Sequence, residues 1–317
     1  MELRMDKKPS RDFNFPPNYH TVQTLSKDLE KLCSQYPDLI AKYKLGETIE
    51  KKDILGYIIS SGKKEEQELK SKPASLVIGC HHGRECITSE AIYYAMKLLL
   101  KNYSSDDQFR TWIDHSVIIL IPLLNPHGHD IVVRKNANNV DLNRNYTFNW
   151  GNENGTSRDP FSEVYCGPSP LSEIEAQLAN QMKIIDDLFL KYKNIKSSID
   201  LHSGTEVILH PWGWTYDKCA DYDLFQKLCK QMEEKAREQQ VLPFEYGPAI
   251  TLYPTSGTYM DHVYQFYHNI SFVDEIYYGK WSNNIFEFFN PPSDKVETVC
   301  KRTLPAISVV IDYAARS

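Results

Sequence analysis

The stretch Ser75-Leu76-Val77-Ile78-Gly79-Cys80-His81-His82-Gly83-Arg84-Glu85 begins as an apolar run of strand character and ends in a histidine and a glutamate separated by two residues. Such a pair, where a strand gives way to a helix, lies at the edge of an open α/β sheet that usually carries ligand sites. A neutral imidazole and a carboxylate at this spacing can share one Zn²⁺ if a third ligand arrives from elsewhere, leaving a fourth position for water. Read alone, His82 and Glu85 are more often a satisfied surface pair than a metal site. His202 offers the third ligand. It ends a second apolar run, Ser197-Ser198-Ile199-Asp200-Leu201, and opens the turn-prone Ser203-Gly204-Thr205.

The 317 residues, 41% hydrophobic and 12% aromatic, are enough for one large α/β domain with a buried core. A net charge of -6 and a pI near 5.9 argue against a nucleic-acid surface, and the lysine pairs Lys7-Lys8, Lys51-Lys52 and Lys63-Lys64 lie close to acids, as on solvated faces. No apolar leader follows Met1 and no stretch is long enough to span a membrane, so no membrane partner is expected and the expected location is the cytoplasm, or outside the cell if the chain is a mature fragment. The seven cysteines are scattered without CxxC spacing and read as reduced thiols. Cys80 and Cys86 bracket the metal motif, where a small buried hydrophobe is the plainer reading and a thiolate ligand the alternative.

Strand-like runs at Ile54 to Ser60, Ser75 to Cys80, Val117 to Pro122, Ser197 to His202, Glu206 to His210 and Ile270 to Ile276 alternate with helical patterns, which is the signature of an α/β fold. Thr21 caps a helix carrying Leu25, Leu29, Leu32 and Tyr36, and a second follows Thr88 with Ile92, Ala95, Met96 and Leu99. Ser172 and Glu175 form a capping box for a long helix with Leu178, Met182, Ile185 and Leu188 on one face. Another helix carries Leu224, Phe225, Leu228 and Met232, and the tail from Val296 to Ala315 is helical with a break or bend at Pro305. Asn125 to Tyr165 is irregular and too long for a connector, which marks it as functional or mobile.

If His82, Glu85 and His202 hold zinc, a general base must stand nearby. Glu275, at the end of Ser271-Phe272-Val273-Asp274-Glu275, is the candidate, with an exposed strand-end acid as the equal alternative. Hydrolysis of an acyl bond also needs donors for the developing oxyanion, which Arg134 can supply. The Asn143-Arg144 pair suits bidentate capture of a carboxylate such as a free chain end. As isolated residues, both arginines are more often surface charges.

These residues together resemble the zinc metallocarboxypeptidases of the carboxypeptidase A and B type, over nearly the whole chain from Tyr19. The resemblance rests on His82-Gly83-Arg84-Glu85, His202-Ser203, Asn125-Pro126-His127-Gly128, Arg134, Asn143-Arg144 within Val140 to Asn145, Tyr253 in Leu252-Tyr253-Pro254-Thr255-Ser256-Gly257, and Glu275. It implies a single-domain α/β/α sandwich around a mixed, twisted sheet of about eight strands, one Zn²⁺ per chain, and removal of C-terminal amino acids from peptides or proteins by a monomer. It also implies substrate contacts from Arg84 and Tyr253, and an Asp141 that orients the first zinc histidine. The register left open by adjacent His81 and His82 falls on His82, which alone has the two-residue gap to Glu85, with His81 as a buried or supporting neighbour.

The family's secreted members carry a leader and an inhibitory pro-region. Here residues 1–18 form an N-terminal extension and 19–317 the catalytic domain. The family's specificity position falls on Met260, which implies a preference for aromatic or large aliphatic C-terminal residues. Displaced by one residue, it falls on Asp261, which implies removal of Lys or Arg. A hydrolase for acidic ends would need a basic residue at Met260, and a non-catalytic peptide-binding relative would be expected to lack a ligand, the base or the oxyanion arginine.

Overall fold

The computed structural model describes residues 13–62, 71–180, 195–242 and 244–317. Its strands are β1 Ile40–Glu47, β2 Asp53–Ile59, β3 Ala74–Gly79, β4 Val117–Ile121, β5 Ile195–His202, β6 Glu206–His210, β7 Glu245–Pro248 and β8 Ile270–Ile276. They form an eight-stranded mixed sheet in the order β1-β2-β4-β3-β5-β8-β6-β7, parallel through β4-β3-β5-β8 and antiparallel at β1-β2, β2-β4 and β6-β8. The helices are α1 Val22–Gln35, α2 Ile87–Asn102, α3 Asp107–His115, α4 Pro126–Ile131, α5 Ile174–Ala179, α6 Tyr222–Glu238, α7 Tyr259–Tyr267, α8 Ile285–Phe289 and α9 Val296–Ala315.

Alternation along the strands builds both cores, because successive side chains leave opposite faces of a sheet. Val77, Ile118, Leu120, Ile199, Leu201, Phe272 and Ile276 meet α1, α2, α3, α6 and α9 on one face. Leu76, Ile78, Val117, Ile119 and Ile121 meet Leu178 of α5 and Tyr259 and Val263 of α7 on the other. The sandwich has its three layers, and among the described residues no helix is long and apolar enough to cross a membrane.

The edge strands β1 and β7 had no clear signal. β1 carries Lys42 and Lys44 on an exposed edge, which protects an edge from further pairing but blurs its alternation. β7 is four residues long and holds Gly247 and Pro248. Thr21 and Thr24 form the capping box of α1. The cap expected at Ser172 is not formed. α5 starts after Glu173 with no side-chain cap, because the Ser172 hydroxyl donates to Glu173 and the Glu175 carboxylate accepts from Asn136. Met182, Ile185 and Leu188 lie outside the described residues. Of the break or bend expected at Pro305, the break is not seen: α9 is one helix of 20 residues with Pro305 inside it. The carbonyl that Pro305 cannot bond belongs to Lys301, an exposed residue whose backbone can turn to water.

Ile311 of α9 is fully buried against the sheet, so Ile311→Ala should lower the unfolding free energy by about 2–5 kcal/mol. The same change at half-exposed Ile285 should stay within about 0.5 kcal/mol. Urea unfolding of both variants checks the pair.

Candidate active site

Parallel pairing sets the site. Gly79 of β3 pairs with Leu201 of β5, and His202 pairs with Glu275 of β8, so three strands end at one edge of the sheet. The turn after β3 is shaped by close packing: a Cβ on Gly83 would lie 2.0 Å from the Gly128 carbonyl carbon and 2.3 Å from the His129 nitrogen. Only glycine lets this turn rest on the Asn125-Pro126-His127-Gly128 turn. Asn125 ties the two together, accepting from Gly128 N–H and donating to the His81 and Arg134 carbonyls. Much of the irregular Asn125 to Tyr165 segment is braced in this way. Asn136 accepts from the amides of Asn138 and Val140, and Asn145 donates to the Cys166 and Ser169 carbonyls. Beyond α4, its richness in asparagine supplies backbone partners where regular elements are few.

His82 Nδ1, His202 Nδ1 and the Glu85 carboxylate converge. The two nitrogens are 3.1 Å apart, and the carboxylate oxygens lie 2.8 Å from the first and 2.9 Å from the second. Each imidazole sends its other nitrogen to a buried acid: His82 Nε2 lies 3.0 Å from Asp141 and His202 Nε2 lies 2.8 Å from Asp200. With those nitrogens donating, three acceptors face one point; Arg134 Nη1 approaches His82 Nδ1 and the Ser203 amide donates to Glu85 from the side, and a cation at the point itself, proton or metal, suits all three. Burial first and then Arg134 lower the pKa of His82. Burial acts to lower that of His202 too, but Asp200 and Glu85 raise it well above the usual range. Two imidazole nitrogens and a carboxylate oxygen about 3 Å apart fit a tetrahedral zinc site, in which bonds of about 2.0–2.1 Å put ligand atoms about 3.3 Å from one another.

A second group, His81, Asp200 and His202, is also close enough to hold an ion. Its contacts differ in kind, since one carboxylate accepts from two imidazoles and no lone pairs clash. The thiols take no part. Cys80 Sγ faces Ser89 and the Glu85 carbonyl, and Cys86 Sγ faces the Gly83 carbonyl. Burial pushes the Cys80 thiol up to about 11, and neither sulfur joins the ligand cluster, which disfavours the thiolate alternative. None of the seven cysteines forms a disulfide.

Glu275 stands beside His202, partly exposed, and burial and then the Glu85 carboxylate push its carboxyl above the usual range. Arg134 binds Asp141 through Nε at 2.9 Å and Nη2 at 2.7 Å, leaving Nη1 directed at the cluster, 3.3 Å from His82 Nδ1. Asn143 lies 3.2 Å from His202 Nε2 through Nδ2, and its Oδ1 accepts from the Tyr259 amide. Arg144 is buried and donates to the Gly155 and Asn143 carbonyls. Tyr253 is half exposed on the following loop.

Met260 is buried among Leu209, Ala249 and Val273. Asp261 is buried elsewhere, with both oxygens accepting from the Gly213 amide at 3.2 and 3.0 Å, and burial pushes it up to about 7. Arg84 stacks on Phe289 at 4.2 Å and pairs with Glu163 at 3.4 Å. The partners Glu163 and Phe289 were not read from the sequence, and neither was the place of Asp200. For Asp200 a signal existed: two residues before His202 on a strand, it must share that residue's face.

The sequence profile described as zinc carboxypeptidase matches residues 25–306. Carboxypeptidase A4 of Mus musculus is 28% identical over 291 residues, covering 85% of this chain and 66% of the relative. Carboxypeptidase B of Rattus norvegicus is 25% identical over 310 residues, covering 93% and 71%. The carboxypeptidase A structure from Helicoverpa armigera shares the fold, with a TM-score of 0.78 and 22% identity over 98% of this chain and 77% of that one. The chain belongs to the zinc carboxypeptidases, a family of metallocarboxypeptidase hydrolases.

Proposed function

We propose that residues 19–317 form a catalytic unit that hydrolyses the C-terminal peptide bond of peptides and proteins. The observation that carries this reading is the convergence of His82, Glu85 and His202 beside both Glu275 and Arg134 Nη1, which reaches into the cluster at His82. His82 and His202 through Nδ1, with Glu85, would hold one Zn²⁺. When bound, that ion supplies a lowered water pKa and polarisation of the scissile carbonyl.

The chain's own groups do the rest. Glu275 takes the proton of the attacking water and passes it to the leaving amine, as its place beside His202 at the strand end allows. Arg134 points Nη1 at the developing oxyanion, and its bidentate pair with Asp141 fixes its angle. Asn143, Arg144 and Tyr253 hold the terminal carboxylate, with Arg84 contacting the peptide further from the cleaved bond. Met260, with Leu209, Ala249 and Val273, gives an apolar receptacle for the last side chain, so aromatic or large aliphatic ends are preferred. Asp261 is engaged by Gly213, which disfavours the reading in which it selects Lys or Arg.

Two small peptides, one ending in Phe and one in Lys, test the reading. Release of Phe that a zinc chelator abolishes is the expected result; release of Lys alone would overturn the assignment of the pocket, and release of neither, with zinc bound, would overturn the activity. Glu275→Gln should lower kcat by about 10²–10⁴-fold while zinc content is kept, and near-normal turnover would remove Glu275 from its role. Arg144→Ala should raise KM about tenfold or more, since the loss of a charge-assisted hydrogen bond costs about 1.5–3 kcal/mol. A fall mainly in kcat would count against carboxylate capture.

A further inference from the structure

Behind the ligand cluster runs a buried chain of polar groups that the chemistry above does not use. Asp200 stands two residues before His202 on β5, so both side chains leave the same face of the strand. Its carboxylate meets His202 Nε2 and His81 Nδ1, each at 2.8 Å, and His81 Nε2 lies 2.6 Å from the Tyr146 hydroxyl. His81, Asp200 and Tyr146 are wholly buried. An ionised carboxylate only accepts, so His202 carries its proton on Nε2, His81 carries its own on Nδ1, and His81 Nε2 accepts from Tyr146. With His202 neutral, this arrangement of protons satisfies both Asp200 contacts and the Tyr146 hydroxyl. It leaves the lone pair of His202 Nδ1 aimed at Glu85 and His82, which is the state a metal ligand needs.

We infer that Asp200, braced by His81 and Tyr146, is the positioning residue that holds His202 in the ring orientation and tautomer required for zinc. The adjacent histidines of the motif then divide the work: His82 faces the ion directly, and His81 supports the ligand from the other strand. The inference rests on the proposed ligand set of His82, Glu85 and His202.

Zinc affinity, measured by competition with a chromophoric chelator, tests it alongside the melting temperature of the zinc-free protein. Asp200→Asn should weaken zinc binding about 10–100-fold, the usual cost of losing a partner of a metal-bound histidine. His81→Leu should weaken it in the same direction. His81→Asn should restore most of the affinity, because its side-chain N–H stands near the position of the lost Nδ1–H. Tyr146→Phe should weaken binding in the native background and add nothing to Asp200→Asn. Unchanged zinc affinity in both Asp200→Asn and His81→Leu, with only the zinc-free melting temperature lowered, would reduce the chain to a structural brace and overturn the inference. Two zinc ions per native chain, one lost in Asp200→Asn, would overturn it in favour of an ion held by His81, Asp200 and His202. If Asp200→Asn fails to fold, the His81 pair and Tyr146→Phe decide the matter. Native protein that binds zinc, loses it in His82→Ala and hydrolyses peptides keeps the proposed function whatever the Asp200 result; native protein that binds no zinc overturns both.

Discussion

The constraint on which the rest depends is the in-register parallel pairing of β3, β5 and β8. In a parallel sheet the carboxyl ends of neighbouring strands share one edge, so the loops that follow emerge side by side. His202 and Glu275 are direct partners in the ladder, and the turn carrying His82 and Glu85 follows the strand on the other side of β5. A slip of one residue in β5 would turn His202 and Asp200 together into the apolar layer occupied by Ile199 and Leu201. Burial of that layer against α9 is therefore what aims the ligands.

The second constraint is charge. Glu85, Asp141 and Asp200 are buried within one cluster, and isolated carboxylates would not stay ionised there. Asp141 is matched by Arg134 and His82 and Asp200 by His202 and His81, whereas Glu85 accepts from the Ser203 amide and faces the Nδ1 atoms of both imidazoles. The network is closed except at the centre, where the lone pairs of the two Nδ1 atoms meet the Glu85 carboxylate. Stability and function compete at that point, since a proton satisfies the centre as well as a metal does, and a preference for zinc must come from geometry held by the acids behind it.

The sequence made the middle of the sheet legible and left its margins obscure. Runs such as Val117 to Ile121 are apolar throughout because both faces are covered, whereas β1 alternates Lys42 and Lys44 with Ala41 and Tyr43 on an open edge. His82, Glu85, His202 and Glu275 could be found because a ligand pair has a spacing and a strand end has a composition. Of their partners, Asp141 behind His82 followed from the resemblance and Asp200 behind His202 had the strand spacing to show it, but the wider contacts had no such sign. Asp141 with Arg134, His81 with Asp200 and Tyr146, and Arg84 with Glu163 and Phe289 are joined only by tertiary packing, and no local pattern records that kind of contact. The failed cap at Ser172 has the same origin: the side chains that could have closed it locally found partners elsewhere, Glu175 with Asn136 and Ser172 with Glu173.

Selectivity turns on the same distinction between spacing and packing. Met260 and Asp261 are neighbours in sequence, and a shift of one residue in counting exchanges an apolar pocket for an acidic one. On a helix, however, consecutive residues point about 100° apart. The first turn of α7 is fixed by the Thr258 cap and by the Asn143 side chain that receives the Tyr259 amide. That anchoring sends Met260 toward Leu209 and Val273 of the sheet and Asp261 toward the Gly213 amide. Asn143 thereby stands at two tasks in the proposed mechanism, presenting its Nδ2 beside His202 while its Oδ1 sets the rotation of the helix that carries the pocket residue. Binding of the terminal carboxylate and selection of the terminal side chain would then be mechanically joined through one amide group, so that a loss of alignment at Asn143 would disturb both together.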